Sequence, residues 1–331
     1  MSELIPPFDA HAVFVAPWTE NLSIFGWVAA MGFCVAAACG LVGNYLMLRR
    51  MALMGDAVSH SVLPGLVAAF LISGTRGTGA MFTGALAAGA VTTILIETIH
   101  KRTRVKQDAA IGIAFSTLFA IGVIMTVMYA NQVDLDADCV LYGEIAFVPL
   151  EPMVSLAGVN LGPVPFVRML GVLLTVGVLI VAFYKELLVS SFDPGLAKSL
   201  GINPSLVHYA LMAALSVVVV SAFESVGAIL VIAMLILPGA TASLLTTRLS
   251  VVHALSFVHA ALSAWMGVTL GVWLESSLAA AMVVAGACLF GLAWIFSPKE
   301  GLLARWRQRS LPATLPESLP PPETAATKPT S

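Results

Sequence analysis

Apolar residues in this chain do not alternate with polar ones; they come in long runs. The runs are Trp18 to Leu48, Met51 to Ser73, Gly79 to Ile99, Ala109 to Ala130, Phe166 to Tyr184, Ser205 to Ala222, Val226 to Leu245, Val251 to Leu274 and Ser277 to Phe296. Each is close to the roughly 20 residues a helix needs to cross about 30 Å of hydrocarbon. In lipid only helices and closed barrels satisfy their own backbone, and runs this long fit helices. The pattern predicts an all-α, polytopic transmembrane helix bundle of about nine spans. The first run is dotted with Ala29, Ala30, Gly32, Ala36, Ala37, Ala38, Gly40 and Gly43, small residues that allow close helix packing. Between the fourth and fifth runs, Asn131 to Pro165 begins acidic and then carries Pro149, Pro152, Pro163 and Pro165, which prevent one continuous helix. This stretch reads as an external loop with room for a short re-entrant or surface helix.

Composition agrees: of 331 residues, 59% are hydrophobic and only 10% charged, against roughly 25% charged in soluble domains. The net charge of -2 gives no sign of a nucleic-acid partner, and membrane lipid is the surrounding the chain expects. Cys34, Cys39, Cys139 and Cys288 are scattered, with no CxxC or Cys/His grouping, so neither a disulfide framework nor a zinc finger is supported. Met1 to Pro17 has no lysine or arginine and does not resemble a cleaved signal peptide.

The position of the basic residues is more informative. With the N-terminus outside, Arg49, Arg50, Lys101, Arg102, Arg104, Lys106, Lys185, Lys198, Arg248, Lys299, Arg305, Arg307, Arg309 and Lys328 all fall inside, and only Arg76 and Arg168 fall outside. That asymmetry predicts an external N-terminus and a cytoplasmic C-terminus. It divides the chain into an extracytoplasmic segment (1–17), a transmembrane domain (18–298) and a cytoplasmic tail (299–331) whose Pro/Ser/Thr-rich composition reads as disordered.

Chemistry concentrates in Met54-Gly55-Asp56-Ala57-Val58-Ser59-His60-Ser61-Val62-Leu63-Pro64-Gly65. On a helix, Asp56 and His60 share one face, and Pro64, lacking an N–H, frees the carbonyl of His60. A carboxylate and an imidazole together suit a divalent manganese, iron or zinc ion, or a proton site. The alternative is that Asp56 pairs with Arg49 or Arg50 while His60 satisfies a core hydrogen bond. Two ligands cannot complete a sphere of about four to six, so other helices or a second copy of the chain must contribute.

Glu224, between two apolar runs, is a further ligand or gate, or else an ordinary helix-end carboxylate. Pro238-Gly239 echoes Pro64-Gly65 and suits either a broken helix beside a transport path or a structural kink. Asp134, Asp136 and Asp138 form an acidic loop that either gathers cations at an external entrance or is simply solvated, and Glu97 and Asp108 flank a basic loop where ion pairing suffices. His208, His253 and His259 read as structural.

Lys185 to Pro204 is an inside loop with its own amphipathic segment. Asp193 can cap a short helix starting at Pro194 and Gly201 can end it, with Leu196, Ala197 and Leu200 on one face. Such a helix either offers an apolar surface to a cytoplasmic partner or lies flat on the membrane. No GxxxxGK[ST] loop or HExxH motif is present, which argues against intrinsic ATP hydrolysis by that route and against a metalloprotease.

Four stretches together resemble the membrane permease subunits of bacterial ABC importers for manganese, zinc and iron. They are Arg49 to Gly65, Asp108 to Ile113, Phe192-Asp193-Pro194 with Ala197 and Leu200-Gly201-Ile202, and Leu235 to Ala242. The similarity spans about Phe25 to Phe296; Ser61 and Gly239 stand where alanine is usual in the family. The resemblance implies an inner-membrane permease, not an enzyme, with no permanently bound cofactor and a divalent metal ion as cargo. It implies cytoplasmic ATPase subunits, an extracytoplasmic metal-binding protein and a second permease copy or paralogue as partners. Asp56 and His60 would belong to the metal site, and Phe192 to Asn203, including Asp193, Leu196, Ala197, Leu200 and Gly201, to the helix that docks on the ATPase. Manganese suits the acidic loop and the Asp/His pair best, since zinc sites draw more on nitrogen and sulfur. The competing class is an ion- or proton-coupled secondary carrier that uses Asp56, His60 and Glu224 without an ATPase.

Overall fold

The computed structural model describes residues 9–74, 78–129, 145–156, 158–297 and 301; for residues 78, 156, 159, 224, 225, 228 and 229 only the backbone is described. Two short helices, α1 (Ala10–Phe14) and α2 (Ala16–Thr19), lead into α3 (Leu22–Leu48). The second apolar run forms two helices, α4 (Met54–His60) and α5 (Val62–Ser73), followed by α6 (Thr78–Arg102) and α7 (Gln107–Tyr129). A 3-10 turn (Ile145–Leu150) and strands β1 (Met153–Leu156) and β2 (Val159–Pro163) precede α8 (Val164–Ala182), α9 (Tyr184–Phe192) and α10 (Pro194–Ser199). The chain closes with α11 (Pro204–Leu245), α12 (Leu249–Trp273) and α13 (Leu278–Phe296).

Among the described residues, eight segments are long and apolar enough to cross a membrane, and Leu230–Leu245 is a shorter apolar helix. The expectation of about nine spans therefore becomes eight long ones and a short one. The short one arises because α11 is not straight: Gly227 has φ 73° and ψ 170°, a region open essentially to glycine alone. A Cβ placed on Gly55 would meet Leu235 and lie 4.0 Å from Leu215. On a straight helix those leucines, twenty residues apart, would be separated by about 30 Å, so the chain doubles back at Gly227. We call the two arms α11a (residues 204–226) and α11b (residues 228–245). The short break expected around Glu224 falls at Gly227, and Pro238 lies inside the continuing helix, so Pro238-Gly239 does not break it.

The core is built around α3, whose Val28, Met31, Val35, Ala38, Val42, Tyr45 and Leu46 are fully buried. Its small residues are where neighbours come closest. A Cβ on Gly43 would strike the Leu235 carbonyl, one on Gly40 would lie 3.3 Å from Pro238, and one on Gly32 would lie 2.6 Å from Met282. Helices α8, α11b, α12 and α13 gather round α3, while α4 to α7 form a second group. Arm α11a ties the groups together, with Val220 packed against Val62 and Ala85.

Part of the expected external loop is an antiparallel hairpin, Met153 paired with Pro163, turning at Gly158 with φ 83°. Proline spacing had suggested only a short helix there, and the 3-10 turn supplies that. Gly162, at φ 115°, lies against Trp27 near the start of α3, so the hairpin covers the end of the bundle opposite Arg49. Asp134, Asp136 and Asp138, and all of the tail beyond Ser297 except Gly301, lie outside the described residues.

Candidate functional site

The site begins where α3 ends. Arg50 adopts a left-handed conformation, φ 59°, while Arg50 N donates to the Met47 carbonyl (3.0 Å) and Met51 N to the Leu46 carbonyl (2.8 Å). This is the two-bond helix stop usually closed by glycine, here closed by arginine. The buried Met51 side chain follows it into the core and turns the chain back towards α4. Arg49 points away from Asp56: Nη2 donates to Ser190 Oγ at 2.8 Å and Nε to Ser191 Oγ at 3.1 Å. Burial holds the Arg49 guanidinium below its usual pKa range.

In α4, His60 Nε2 lies 3.1 Å from Asp56 Oδ1, the one-turn pairing expected from their spacing. Ligand atoms about 2.1 Å from a shared ion and at tetrahedral or octahedral angles are separated by about 3.0–3.4 Å. The distance is that of a hydrogen bond and equally fits two ligands of one ion. Side-chain exposures of 33% for Asp56 and 30% for His60 put both at a surface of the single chain rather than in its core. Phe115 and Phe119 of α7 hold the imidazole, each with its ring centroid 5.8 Å away. Gly55 faces Leu235, which also meets Gly43 five residues before the end of α3, and Asp56 is the third residue of the span Met54–Ser73, so the pair lies towards the inner end of the apolar span.

The helix breaks immediately after His60. Ser61 Oγ donates to the Val58 carbonyl at 3.1 Å, and Thr92 Oγ1 of α6 donates to Ser61 Oγ at 2.6 Å. All of these hydroxyls are buried, Ser61 and Thr92 completely. Pro64 sits in the first turn of α5, where a missing N–H costs nothing, and packs against α7 so closely that a Cβ on Gly122 would lie 2.8 Å from its Cδ. Thus α6 and α7 fix the break from two sides. Sequence reasoning had not singled out Thr92; a threonine facing the break has no signature in a helix of this composition.

The backbone of Glu224 lies at the top of α11a, three residues before the break at Gly227, and its side chain lies outside the described residues. Among the described residues, no three His, Cys, Asp or Glu side chains gather into a metal-binding group.

Other polar groups in the spans pair with one another, although both ring nitrogens of the buried His259 have no hydrogen-bond partner among the described residues. Glu97 holds Lys101 at 2.5 Å and His208 at 3.2 Å, so His208 is a hydrogen-bond partner as well as a packing residue. Asn44 Nδ2 lies 2.8 Å from His253 Nδ1 and 3.2 Å from Ser256 Oγ, stitching α3 to α12. A Cβ on Gly239 would collide with Asn44 Oδ1, which explains glycine there.

The segment Phe192 to Asn203 folds as its caps predict. Asp193 Oδ1 accepts from Gly195 N (2.9 Å) and Leu196 N (3.0 Å), Pro194 opens α10, and Gly201, at φ 80°, ends it. Phe192, Leu196 and Leu200 are 65%, 50% and 61% exposed, a solvent-facing apolar patch. Ala197, grouped with them by spacing, is instead fully buried and anchors the helix, because a six-residue helix resting on α9 and α11 turns one residue of each turn inward.

Residues 21–297 match the ABC 3 transport family. The chain is 44% identical over 284 residues to the manganese transport system membrane protein MntD of Bacillus subtilis, covering 86% of this chain and 96% of the relative. It is 43% identical over 278 residues to the zinc transport system membrane protein TroD of Treponema pallidum, covering 84% and 75%. The structure of PsaBC from Streptococcus pneumoniae in complex with Fab superimposes with a TM-score of 0.72 at 31% identity, covering 90% of this chain and all of that one. The chain belongs to the ABC 3 transport family. It is the multi-pass inner-membrane permease subunit of an ABC transporter; it is not an enzyme, and ATP hydrolysis belongs to a separate subunit.

Proposed function

We propose that this permease imports a divalent transition-metal ion, manganese foremost and zinc or iron otherwise, with Asp56 and His60 as ligands in the inner part of the membrane span. The observation that carries the reading is their 3.1 Å separation, at ligand spacing, on a chain surface held by Phe115 and Phe119. Relatives that transport manganese and zinc support the class of cargo. Oxygen from Asp56 and one imidazole favour manganese over the nitrogen- and sulfur-rich sphere that zinc prefers.

The pair is half a site. Its partial exposure supports completion by a second permease, copy or paralogue, facing the same axis, with Glu224 as a further ligand. The N-terminus is outside and the C-terminus cytoplasmic, with residues 18–298 as the transmembrane domain and 299–331 as a cytoplasmic tail. The clustering of Arg49, Lys101, Lys198 and Arg248 at one end supports this orientation. At that end α10 presents Phe192, Leu196 and Leu200 to a cytoplasmic ATPase, with Asp193 and Gly201 as its caps and Ala197 as its anchor. An extracytoplasmic metal-binding protein delivers the ion at the hairpin end, and ATP-driven alternation between outward and inward access moves it past the pair. A secondary carrier without an ATPase is disfavoured by membership of the ABC 3 transport family.

Competitive uptake of manganese, zinc and iron in a strain lacking its own importers tests the cargo. Manganese should be taken up first and be displaced least by the others. Uptake of none of the three would remove the reading.

A further inference from the structure

The metal-bearing helix and the ATPase-facing segment are tied together by one side chain. Arg49 is the first residue beyond α3 and precedes α4 by only five positions. Its two hydrogen bonds go to Ser190 and Ser191, in the last turn of α9 immediately before Phe192, Asp193 and α10. Between the exposed Leu196 and Asp56 there is thus one short covalent path from α10 to Ser191, two hydrogen bonds, and one short covalent path from Arg49 into α4.

Three features set this link apart from ordinary packing. Arg49 is half-buried, yet among the described residues no carboxylate pairs with it. A desolvated cation held by neutral hydroxyls alone is a poor static support, which an apolar side chain would provide at less cost. Next, the planar guanidinium fork reaches two hydroxyls at once, so the link transmits direction as well as distance. Finally, Arg50 sits in a left-handed conformation that non-glycine residues seldom adopt, so a hinge-like turn lies between the clamp and α4.

We propose that Arg49 is the transmission residue of this permease: it passes the movement of α10 on the ATPase to α4, and so sets the access of the Asp56–His60 pair. Arg49 touches neither ion nor nucleotide; it is a positioning residue. The inference rests on the reading of α10 and of Asp56 and His60 given above.

The test uses the full transporter, this chain with its ATPase subunits and second permease, in proteoliposomes. Manganous ion uptake and ATP hydrolysis are measured in the same vesicles for Arg49→Met and for the double variant Ser190→Ala/Ser191→Ala. Hydrolysis should stay within about twofold of the parent while uptake per ATP falls about tenfold in each, in the range typical of coupling between two sites. Combining all three substitutions should add little, because both variants cut one link. If Arg49→Met does not assemble, the serine variant carries the test alone. Uptake per ATP unchanged in the serine variant would overturn the proposal, as would hydrolysis falling in step with uptake. Asp56→Asn in the same vesicles separates the two readings: normal uptake there would dismiss the metal site while the ratio in the Arg49 and serine variants still reports on the link.

Discussion

Thr92 of α6 donates its hydroxyl proton to Ser61 at 2.6 Å, and Ser61 in turn donates to the carbonyl of Val58, so the break that follows His60 is braced by a helix that contributes no ligand. Both hydroxyls are fully buried, and removing the Thr92 hydroxyl takes away the bond between the helices while Ser61 keeps its bond to the Val58 carbonyl. One lost hydrogen bond costs about 0.5–1.5 kcal/mol. Thr92→Val should therefore loosen the break and raise the apparent KM for manganous ion several-fold, whereas Thr92→Ser should restore it. Equal KM in the valine and serine variants would dismiss the brace.

Gly227 is the point at which α11 doubles back, and its φ of 73° with ψ of 170° excludes a side chain without strain. Gly227→Ala should cost about 1–3 kcal/mol, seen as a lower melting temperature of the detergent-solubilised permease. Leu235 would then be drawn away from Gly55 and α4, so uptake should fall with stability. An unchanged melting temperature would mean that the reversal does not depend on glycine.

Gly43 leaves no room for even a methyl group, since its Cβ would overlap the Leu235 carbonyl in the middle of α11b. Backbone cannot give way as a flexible side chain can, and overpacking costs about 1–3 kcal/mol or more. Gly43→Ala should reduce the folded yield in the membrane, measured by size-exclusion profile. By contrast Gly79→Ala, which meets nothing within 4 Å, should be silent.

Asp193 caps α10 with two backbone N–H bonds. Asp193→Ala should cost about 1 kcal/mol of local helix stability and weaken retention of the ATPase without lowering the melting temperature of the permease itself. Leu200→Asp, which places a charge in the exposed apolar patch, should abolish retention outright. Co-purification of the ATPase at parental levels with Leu200→Asp would move the docking surface elsewhere.

The parts legible in the sequence were those set by local chemistry. Run length marks the spans, the four-residue spacing of Asp56 and His60 gives their pairing, and Asp193, Pro194 and Gly201 frame α10 because caps act over one turn. What was hidden depends on contacts distant in sequence. The polar gap at Glu224 between two apolar runs marks the reversal at Gly227 but not how closely its arms pack, whereas Pro238-Gly239, which left either a broken helix or a kink open, is accommodated by Gly40 and by the Asn44 side chain. Ala197 shares its spacing with Leu196 and Leu200 but is buried, because α9 and α11 decide which side of so short a helix faces inward. The β-hairpin at Met153 to Pro163 is signalled only by Gly158 and Gly162, easily overlooked beside the prolines. The links from Arg49 to α9 and from Asn44 to α12 pair residues whose separation of about 140 and 210 positions no local pattern encodes.

In the proposed transport cycle Asp56 and His60 hold the ion during its passage. The most direct measurement is manganous ion uptake by proteoliposomes bearing Asp56→Asn or His60→Ala, with ATPase retention and melting temperature checked on the same preparations. Loss of one ligand should lower uptake at a sub-saturating metal concentration by about 10–100-fold, with retention and melting temperature unchanged. Uptake within about twofold of the parent in both variants would contradict the account and leave the pair as a helix-stabilising contact.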